Sequence, residues 1–199
     1  MAATQPAPAP RERLLATAER LFYDRGIRAV GVDEVAAAAA TTKMSLYRHF
    51  PSKDELVAEV LRARDARYWR NWWDETVARH PEDPCRQLEA LFDEIGRRTT
   101  RAGYRGCPFT NAAVEFPEPD HPGRAVAAAN KRELRRRLAA LARKAQARDP
   151  LALADQLVLL AEGAYTIAQT LPDENPARAV AAAARTLIAA ACPARRRGR

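Results

Sequence analysis

The chain has 199 residues, of which 47% are hydrophobic and 29% are charged, the balance of a soluble globular protein rather than of a disordered, collagen-like or disulfide-rich chain. Only 8 residues are Gly and only 7% are aromatic, which disfavours a strand-rich sandwich, whereas abundant Ala favours helices. The formal net charge of +8 comes mostly from Arg and is compatible with a nucleic-acid partner without establishing one.

The N-terminal segment predicts a disordered arm followed by helices. Residues 1–10 are rich in Ala and Pro, a composition typical of disorder. Apolar residues then recur at helical spacing over 14–22, and Gly26 suits the C-terminal cap of this first helix. Gly31 can take the N-cap of a second, short helix that begins near Val32.

Two more helices follow at once. Thr42 is a good N-cap for a third helix over 43–50. Ser52 and Glu55 then have the spacing of a capping box, which predicts a fourth, long helix over about 53–80.

The remaining sequence predicts helices separated by Pro-containing breaks, with no alternating strand pattern. A loop is expected where Pro and Gly cluster over 116–123. The predicted helices cover about 84–100, 110–115, 124–148, 151–171 and 176–192. The fold class is therefore all-α.

The chain shows no secretory signal and no segment that we expect to cross a membrane, because Asp155, Gln156 and Glu162 interrupt the apolar stretch 151–171. The three Cys are widely spaced and suggest neither a disulfide framework nor a zinc site, so a reducing, cytoplasmic compartment is expected. The three His, without metal-ligand spacing, are expected at the surface: His49, His80 and His121.

The second and third helices, joined by a short turn, form a helix-turn-helix pattern. Helical geometry places Leu46 and Phe50 on one side of the third helix, where they can anchor it to the first. The other side can enter the major groove of DNA, with phosphates expected beside the residues that follow. The residues expected at the DNA are Thr42, Lys43, Met44, Ser45, Tyr47, Arg48, His49 and Lys53.

The run Val32-Asp33-Glu34-Val35-Ala36, followed by Thr42-Lys43-Met44-Ser45-Leu46-Tyr47-Arg48-His49-Phe50-Pro51-Ser52-Lys53, resembles the tetracycline-repressor (TetR) family of bacterial regulators. The resemblance covers about 11–57, and 105–112 also resembles a stretch found in one branch of the family. Two positions depart from the family pattern. Ala40 stands where a turn Gly is usual and is strained if its backbone is left-handed, while Gly31 replaces a Ser or Thr cap.

The resemblance implies a helix-turn-helix DNA-binding domain over 11–56 and a ligand-binding and dimerisation domain over 57–192, followed by a basic tail over 193–199. It also implies a homodimer that binds a near-palindromic operator on double-stranded DNA. The last two helices carry faces rich in small residues, which serve either dimerisation or the monomer's own core. These faces contain Leu157, Ala161, Ala164, Ala168, Val180, Ala184, Leu187 and Ala191.

The same resemblance implies a small-molecule effector inside the C-terminal domain, where helical proteins host apolar pockets. Because no charged constellation marks the ligand, we expect a mostly apolar or aromatic molecule. The candidate pocket residues, each of which could equally be plain core, are Trp69, Trp72, Trp73, Phe92, Tyr104, Cys107, Phe109, Phe116 and Tyr165.

The sequence therefore predicts a repressor that its effector releases from DNA. No catalytic, cofactor or metal motif argues for an enzyme. Three alternatives stay open: a helical DNA-binding protein without a ligand, a protein–protein adaptor, and a redox or electrophile sensor based on Cys107. The Arg-rich segment 124–148 is either a solvated helix face or a second surface for nucleic acid.

Overall fold

The computed structural model describes residues 9–193, and within that range it contains helices and no strand. The predicted arm over 1–10 and the tail over 193–199 lie almost wholly outside the described residues. The chain divides into two compact units: Met1–Arg64 with Pro108–Ala128, and Asp65–Cys107 with Ala129–Arg199. The first unit thus combines the N-terminal helices with a segment from the middle of the chain.

The helices follow in this order: α1 (Pro10–Arg25), α2 (Val32–Ala38), α3 (Lys43–His49), α4 (Lys53–Tyr68), a π-helical segment (Trp69–Asp74), α5 (Glu75–Val77), α6 (Pro84–Thr99), α7 (Pro108–Glu115), α8 (Pro122–Lys144), α9 (Pro150–Thr170), a 3₁₀ turn (Pro176–Ala179) and α10 (Val180–Ala191).

Several predicted boundaries were wrong by a few residues. The long fourth helix ends at Val77 rather than at His80, and its last turns include the π-helical segment. Helices α7 and α8 begin at Pro108 and Pro122, two residues earlier than predicted, because Pro fits the first position of a helix. Helix α8 ends at Lys144, well before the predicted end at residue 148.

The short helices of the first unit have the predicted caps. Gly26 caps α1 with a positive φ of 91°, and Gly31 occupies the N-cap of α2. The Thr42 hydroxyl accepts a hydrogen bond from the Ser45 backbone N–H at 3.1 Å, and the Ser52 hydroxyl accepts one from the Glu55 N–H at 3.1 Å. Side-chain capping therefore defines the starts of α3 and α4.

The core of the first unit holds α3 in place. Leu46 and Phe50 are buried together with apolar residues of the other N-terminal helices, as the helical period predicts. The turn between α2 and α3 contains Ala40 at φ 50°, a left-handed conformation that normally favours Gly. Ala40 therefore adopts a conformation that a Gly at this position would take without steric cost.

The second unit has a core built from the π-helical segment, α6, α8, α9 and α10. The faces of α9 and α10 that were assigned to dimerisation or core are largely part of this core. Leu157, Ala161 and Ala184 are fully buried within the chain, whereas Leu187 and Ala191 are partly exposed. The buried members of these faces therefore serve the monomer's own core, because the chain's own helices already cover them.

Helix α9 is long and apolar enough to cross a membrane, judged by its 21 residues and a mean hydropathy of 1.3. This is weak evidence, since the core helices of soluble proteins meet the same criterion. One face of α9 is indeed part of the core of the second unit.

Candidate nucleic-acid interface and effector region

The outer face of α3 carries most of the side chains expected at the DNA. Met44 is 75% exposed and Tyr47 is 42% exposed, although both are large and apolar enough to be core residues. Arg48 and His49 are also exposed, and Ser45 is partly buried beside them. The short helix therefore buries one side and presents apolar, hydroxyl and cationic groups on the other, with no acidic side chain of its own.

Two lysines flank this face in different environments. The Lys43 ammonium donates to Asp33 Oδ2 at 3.0 Å, and this hydrogen bond raises the pKa of Lys43. The pair is exposed, so exchanging Asp33 for a DNA group costs little. Lys53 is half-buried at the start of α4, and this burial lowers the pKa of its ammonium group.

A carboxylate that the sequence did not single out ties α7 to the N-terminal helices within the first unit. Glu115 accepts hydrogen bonds from the backbone N–H groups of Ile27 at 3.0 Å and Arg28 at 2.7 Å. The Arg28 side chain donates in return to the Glu115 carbonyl at 2.7 Å. We call Glu115 with these two N–H groups the Glu115 clamp; it fixes the chain just after α1.

His121 was wrongly expected at the surface. Its ring is buried and stacks on Phe116 with the ring centroids 3.8 Å apart. Its Nδ1 accepts a hydrogen bond from the Gly123 N–H at 3.1 Å, and its Nε2 lies 3.4 Å from Asp54 Oδ1. The start of α8 therefore packs closely against α4 within the first unit. Nothing in the sequence pattern distinguished His121 from the exposed His49.

The residues predicted for the effector pocket fall into two groups. Phe109 and Phe116 are buried in the first unit, while the others belong to the second. Those buried in the core of the second unit are Trp69, Trp72, Trp73, Phe92 and Tyr165, and those partly buried against it are Tyr104 and Cys107.

The three Trp side chains form the centre of the larger group. They lie on the π-helical segment, and edge-to-face contacts join their rings, with centroids 5.8 Å apart for Trp72 and Trp73. The guanidinium of Arg137 lies 4.4 Å from the centroid of the Trp69 ring. Trp72 Nε1 is buried and has no hydrogen-bond partner among the described residues. A buried donor of this kind needs an acceptor.

A polar cluster lies beside these rings in the second unit. The Lys131 ammonium donates to Cys107 Sγ at 3.2 Å and to Glu162 Oε1 at 2.5 Å. Burial opposes the charge of Lys131, but Cys107 and Glu162 outweigh it, so that the pKa of Lys131 is raised. Desolvation raises the pKa of Tyr165, whose hydroxyl is hydrogen-bonded to Tyr68. Aromatic, cationic, anionic and thiol groups thus meet at one place.

A separate cleft lies in the first unit between α1, α4 and α7. Its walls include Phe22, Leu61 and Pro108, with Arg64 and Glu115 among the polar residues. The cavity volume of this cleft is about 30 Å³. It has room for a few water molecules, far below the size of a ligand pocket.

Two family models together match most of the chain. Residues 14–60 match the bacterial regulatory proteins of the tetR family, and residues 84–184 match the tetracyclin repressor-like C-terminal domain. The chain belongs to the TetR family of bacterial regulatory proteins. The first match covers α3 and the caps around it, and the second covers most of α6 to α10. Family membership therefore rests on both halves of the chain.

Solved structures of TetR-family proteins agree with this fold over nearly the whole chain. A TetR-family transcriptional regulator from Streptomyces coelicolor is 30% identical with a TM-score of 0.85, covering 92% of this chain and 95% of that one. A TetR-type regulator from Streptomyces avermitilis is 31% identical with a TM-score of 0.83, covering 92% and 98%.

Curated relatives match a shorter part. The transcriptional repressor KstR2 of Mycolicibacterium smegmatis is 37% identical over 89 residues, which are 45% of this chain and 42% of that protein. The chain spans about half the length or less of the curated relatives it matches.

Proposed function

We propose that this TetR-family protein is a transcriptional repressor that binds operator DNA through α3 and that a small molecule releases from it. The outward face of α3 carries this proposal: Met44 and Tyr47 are exposed on a helix whose opposite side is buried. A helix of this kind fits the major groove, where methyl groups and base edges meet apolar and hydroxyl side chains. The similar protein KstR2 is named a transcriptional repressor, which supports repression rather than activation.

The individual contacts follow from position on the helix. Ser45 and Lys43, near the N-terminus of α3, are placed to read base edges, with Thr42, Met44 and Arg48 beside them. Tyr47, His49 and Lys53 are placed to meet phosphates. We propose the DNA-binding domain over 11–56 and the effector and dimerisation domain over 57–192. The protein would act in the cytoplasm, on the nucleoid when it is bound to its operator.

Binding to selected DNA tests this assignment. Duplexes selected from a random library with the wild-type protein provide the operator, and fluorescence anisotropy gives the affinity. Tyr47→Ala and Lys53→Ala are expected to weaken binding to all duplexes alike, whereas Lys43→Ala and Ser45→Ala change the preferred sequence. Arg86→Ala, which removes an exposed charge on α6, is the matched control. Unchanged affinity and preference in all four α3 and α4 variants would refute the assignment.

A homodimer would use the outer faces of α9 and α10. On α9 the exposed stripe contains small or uncharged residues and one large apolar one, Leu159, which is 73% exposed. Its members are Ala152, Gln156, Leu159, Gly163, Thr166 and Thr170. A two-fold dimer presents two identical recognition helices, so the operator should contain inverted half-sites one helical turn or more apart. Footprints on the selected DNA would reveal them.

The effector would bind beside the three Trp side chains of the second unit. The unpartnered Trp72 Nε1 supports an aromatic or apolar molecule that also carries a hydrogen-bond acceptor. Helix α4 runs directly into the π-helical segment, and such segments are frequent at functional sites. A ligand found by thermal shift should therefore lower operator affinity, with a coupling of about 1–3 kcal/mol. In Trp72→Phe, which keeps an aromatic side chain but removes the N–H donor, the ligand should bind more weakly.

A second candidate function is electrophile sensing at Cys107. The contact between the Lys131 ammonium and Cys107 Sγ at 3.2 Å favours it, because reactive cysteines are found beside cationic groups. Treatment with N-ethylmaleimide followed by intact-mass and DNA-binding measurements tests it. Loss of DNA binding in the wild type but not in Cys107→Ser supports a sensor. If Cys107 is modified and DNA binding is retained, Cys107 is not a sensor, and regulation by a non-covalent effector is the remaining proposal.

A further inference from the structure

A charged pair formed by two helices lies at the start of α3, beside its outer face. Lys43 is the first residue of α3, and Asp33 lies in the first turn of α2. The Lys43 ammonium donates to Asp33 Oδ2 at 3.0 Å, and the two side chains are 51% and 72% exposed. The pair therefore presents a donor group and an acceptor group side by side to any molecule that contacts α3.

The backbone that carries the two charged groups is fixed within the first unit. Thr41 donates its backbone N–H to the Ala36 carbonyl at 3.0 Å, which closes the turn after α2. The Thr42 hydroxyl caps α3, and the buried Leu46 anchors this helix in the core of the unit. Only side-chain rotation is therefore needed to adjust the positions of the ammonium and the carboxylate.

An exposed carboxylate beside the recognition helix opposes DNA binding in general, because DNA phosphates repel it. This cost is offset where the carboxylate accepts a hydrogen bond from a base. In the major groove the N4 amino group of cytosine is such a donor for Asp or Glu, whereas Lys pairs with the O6 and N7 acceptors of guanine. A G·C base pair therefore carries partners for both Asp33 and Lys43.

We propose that Asp33 and Lys43 together read one G·C base pair of the operator, with Lys43 donating to guanine O6 and Asp33 accepting from cytosine N4. This inference rests on the proposed binding of DNA through α3, and it adds a base-reading residue from α2. The 3.0 Å between Lys43 Nζ and Asp33 Oδ2 matches the distance of about 2.9 Å between hydrogen-bonded O6 and N4 in the base pair. Because an ammonium has three N–H donors and a carboxylate accepts up to about four hydrogen bonds, both groups can contact the bases while their own hydrogen bond remains.

The same pair should lower the affinity for unrelated DNA. Asp33 neutralises the Lys43 ammonium, which would otherwise add a phosphate contact on any sequence. In Asp33→Ala, affinity for random-sequence duplexes should therefore rise, and the slope of log affinity against log salt should steepen by about 1. Discrimination in favour of the G·C pair should fall about tenfold in the same variant.

A modified base tests the inference with the full-length protein and the operator selected with the wild type. The position to modify is the one at which Lys43→Ala changes the base preference most. There N4-methylcytosine replaces cytosine, which keeps the Watson–Crick pair and guanine O6 but blocks the amino hydrogen that faces the major groove. Fluorescence anisotropy should show about tenfold weaker binding of the modified duplex by the wild type and no such loss in Asp33→Ala. Lys43→Ala keeps the carboxylate and should still bind the modified duplex more weakly than the unmodified one.

Glu34→Gln is the matched control. Glu34 follows Asp33 in the same turn of α2 but is ion-paired with Arg25, so this variant removes an equal charge without removing the partner of Lys43. It should keep the wild-type base preference and the wild-type loss of affinity for the modified duplex.

Three results would overturn the proposal that Asp33 and Lys43 read one base pair. The first is equal binding of the modified and unmodified duplexes by the wild type, and the second is a loss of the same size in Asp33→Ala. The third is a preferred base pair other than G·C at the position that depends on Lys43. Each of these leaves the binding of DNA through α3 intact, whereas unchanged affinity and preference in all the α3 and α4 variants would refute both.

Discussion

The left-handed backbone of Ala40 stores strain in the turn that leads into the recognition helix. Its φ of 50° costs an Ala residue about 1–2 kcal/mol relative to Gly, although Gly also loses more entropy on folding. Ala40→Gly should therefore stabilise the protein by about 0.5–1 kcal/mol in urea denaturation. Ala38→Gly, within α2, is the control and should destabilise by about 0.5–1 kcal/mol. If Ala40→Gly and Ala38→Gly changed the free energy of unfolding by the same amount, the backbone of Ala40 would not be strained.

Glu133 gives a pH-dependent contribution to stability. Hydrogen bonds from Arg136 at 2.6 Å and Arg137 at 2.7 Å lower the pKa of Glu133 to about 2 from its ordinary 4.5. Because the pKa of Glu133 is lower in the folded protein than in the unfolded chain, ionised Glu133 stabilises the fold at pH values above about 4.5. This stabilisation is lost as the pH falls from about 4.5 towards 2.

The Tm difference between the wild type and Glu133→Gln should therefore be largest near neutral pH and should shrink in acid. The pair is partly exposed, so the difference corresponds to about 1 kcal/mol or less. Thermal melts from pH 7 to about pH 3 check this. A difference that stays constant with pH would exclude the ion pairs as its cause.

At the scale of elements, the Glu115 clamp joins α7 to the end of α1. Its two charge-assisted hydrogen bonds satisfy N–H groups that follow a helix C-terminus. Glu115→Ala should cost about 1–3 kcal/mol and should speed amide exchange at Ile27 and Arg28. Since α2 follows this point directly, operator affinity should fall as well.

Glu118 is the matched control for the clamp. Its carboxylate lies 3.7 Å from the Arg28 side chain at an exposed position, so Glu118→Ala should change stability by no more than about 0.5 kcal/mol. Equal amide exchange rates at Ile27 and Arg28 in Glu115→Ala and Glu118→Ala would show that the Glu115 clamp does not fix the chain after α1.

At the scale of the whole molecule, the proposed dimer depends on the outer stripe of α9. Leu159→Arg adds a charge at the centre of that stripe and should convert the dimer to a monomer in sedimentation velocity experiments. Operator affinity should fall with it, because two recognition helices no longer bind together. Val114→Arg, at a residue 77% exposed in the first unit, is the control and should remain dimeric. A dimeric Leu159→Arg protein would place the interface elsewhere.

The sequence by itself determined the helical fold class, most helix starts and the two sides of α3. These features depend on interactions within one or two turns, such as the Thr42 cap and the spacing of Leu46 and Phe50. Side chains three or four residues apart share a helix face whatever the rest of the chain does, so the pattern predicts them directly. The family resemblance came from the same local segment.

Only the tertiary structure decided which distant residues meet. It buried His121, placed Glu115 against Ile27 and Arg28, and divided the predicted effector residues between two units. The outcome for α9 shows why. Both of its sides carry small or apolar residues, so its periodicity could not tell the side that its own chain buries from the side left exposed. Which face of a helix becomes buried depends on which helices pack together, and the spacing of residues along one helix does not determine that.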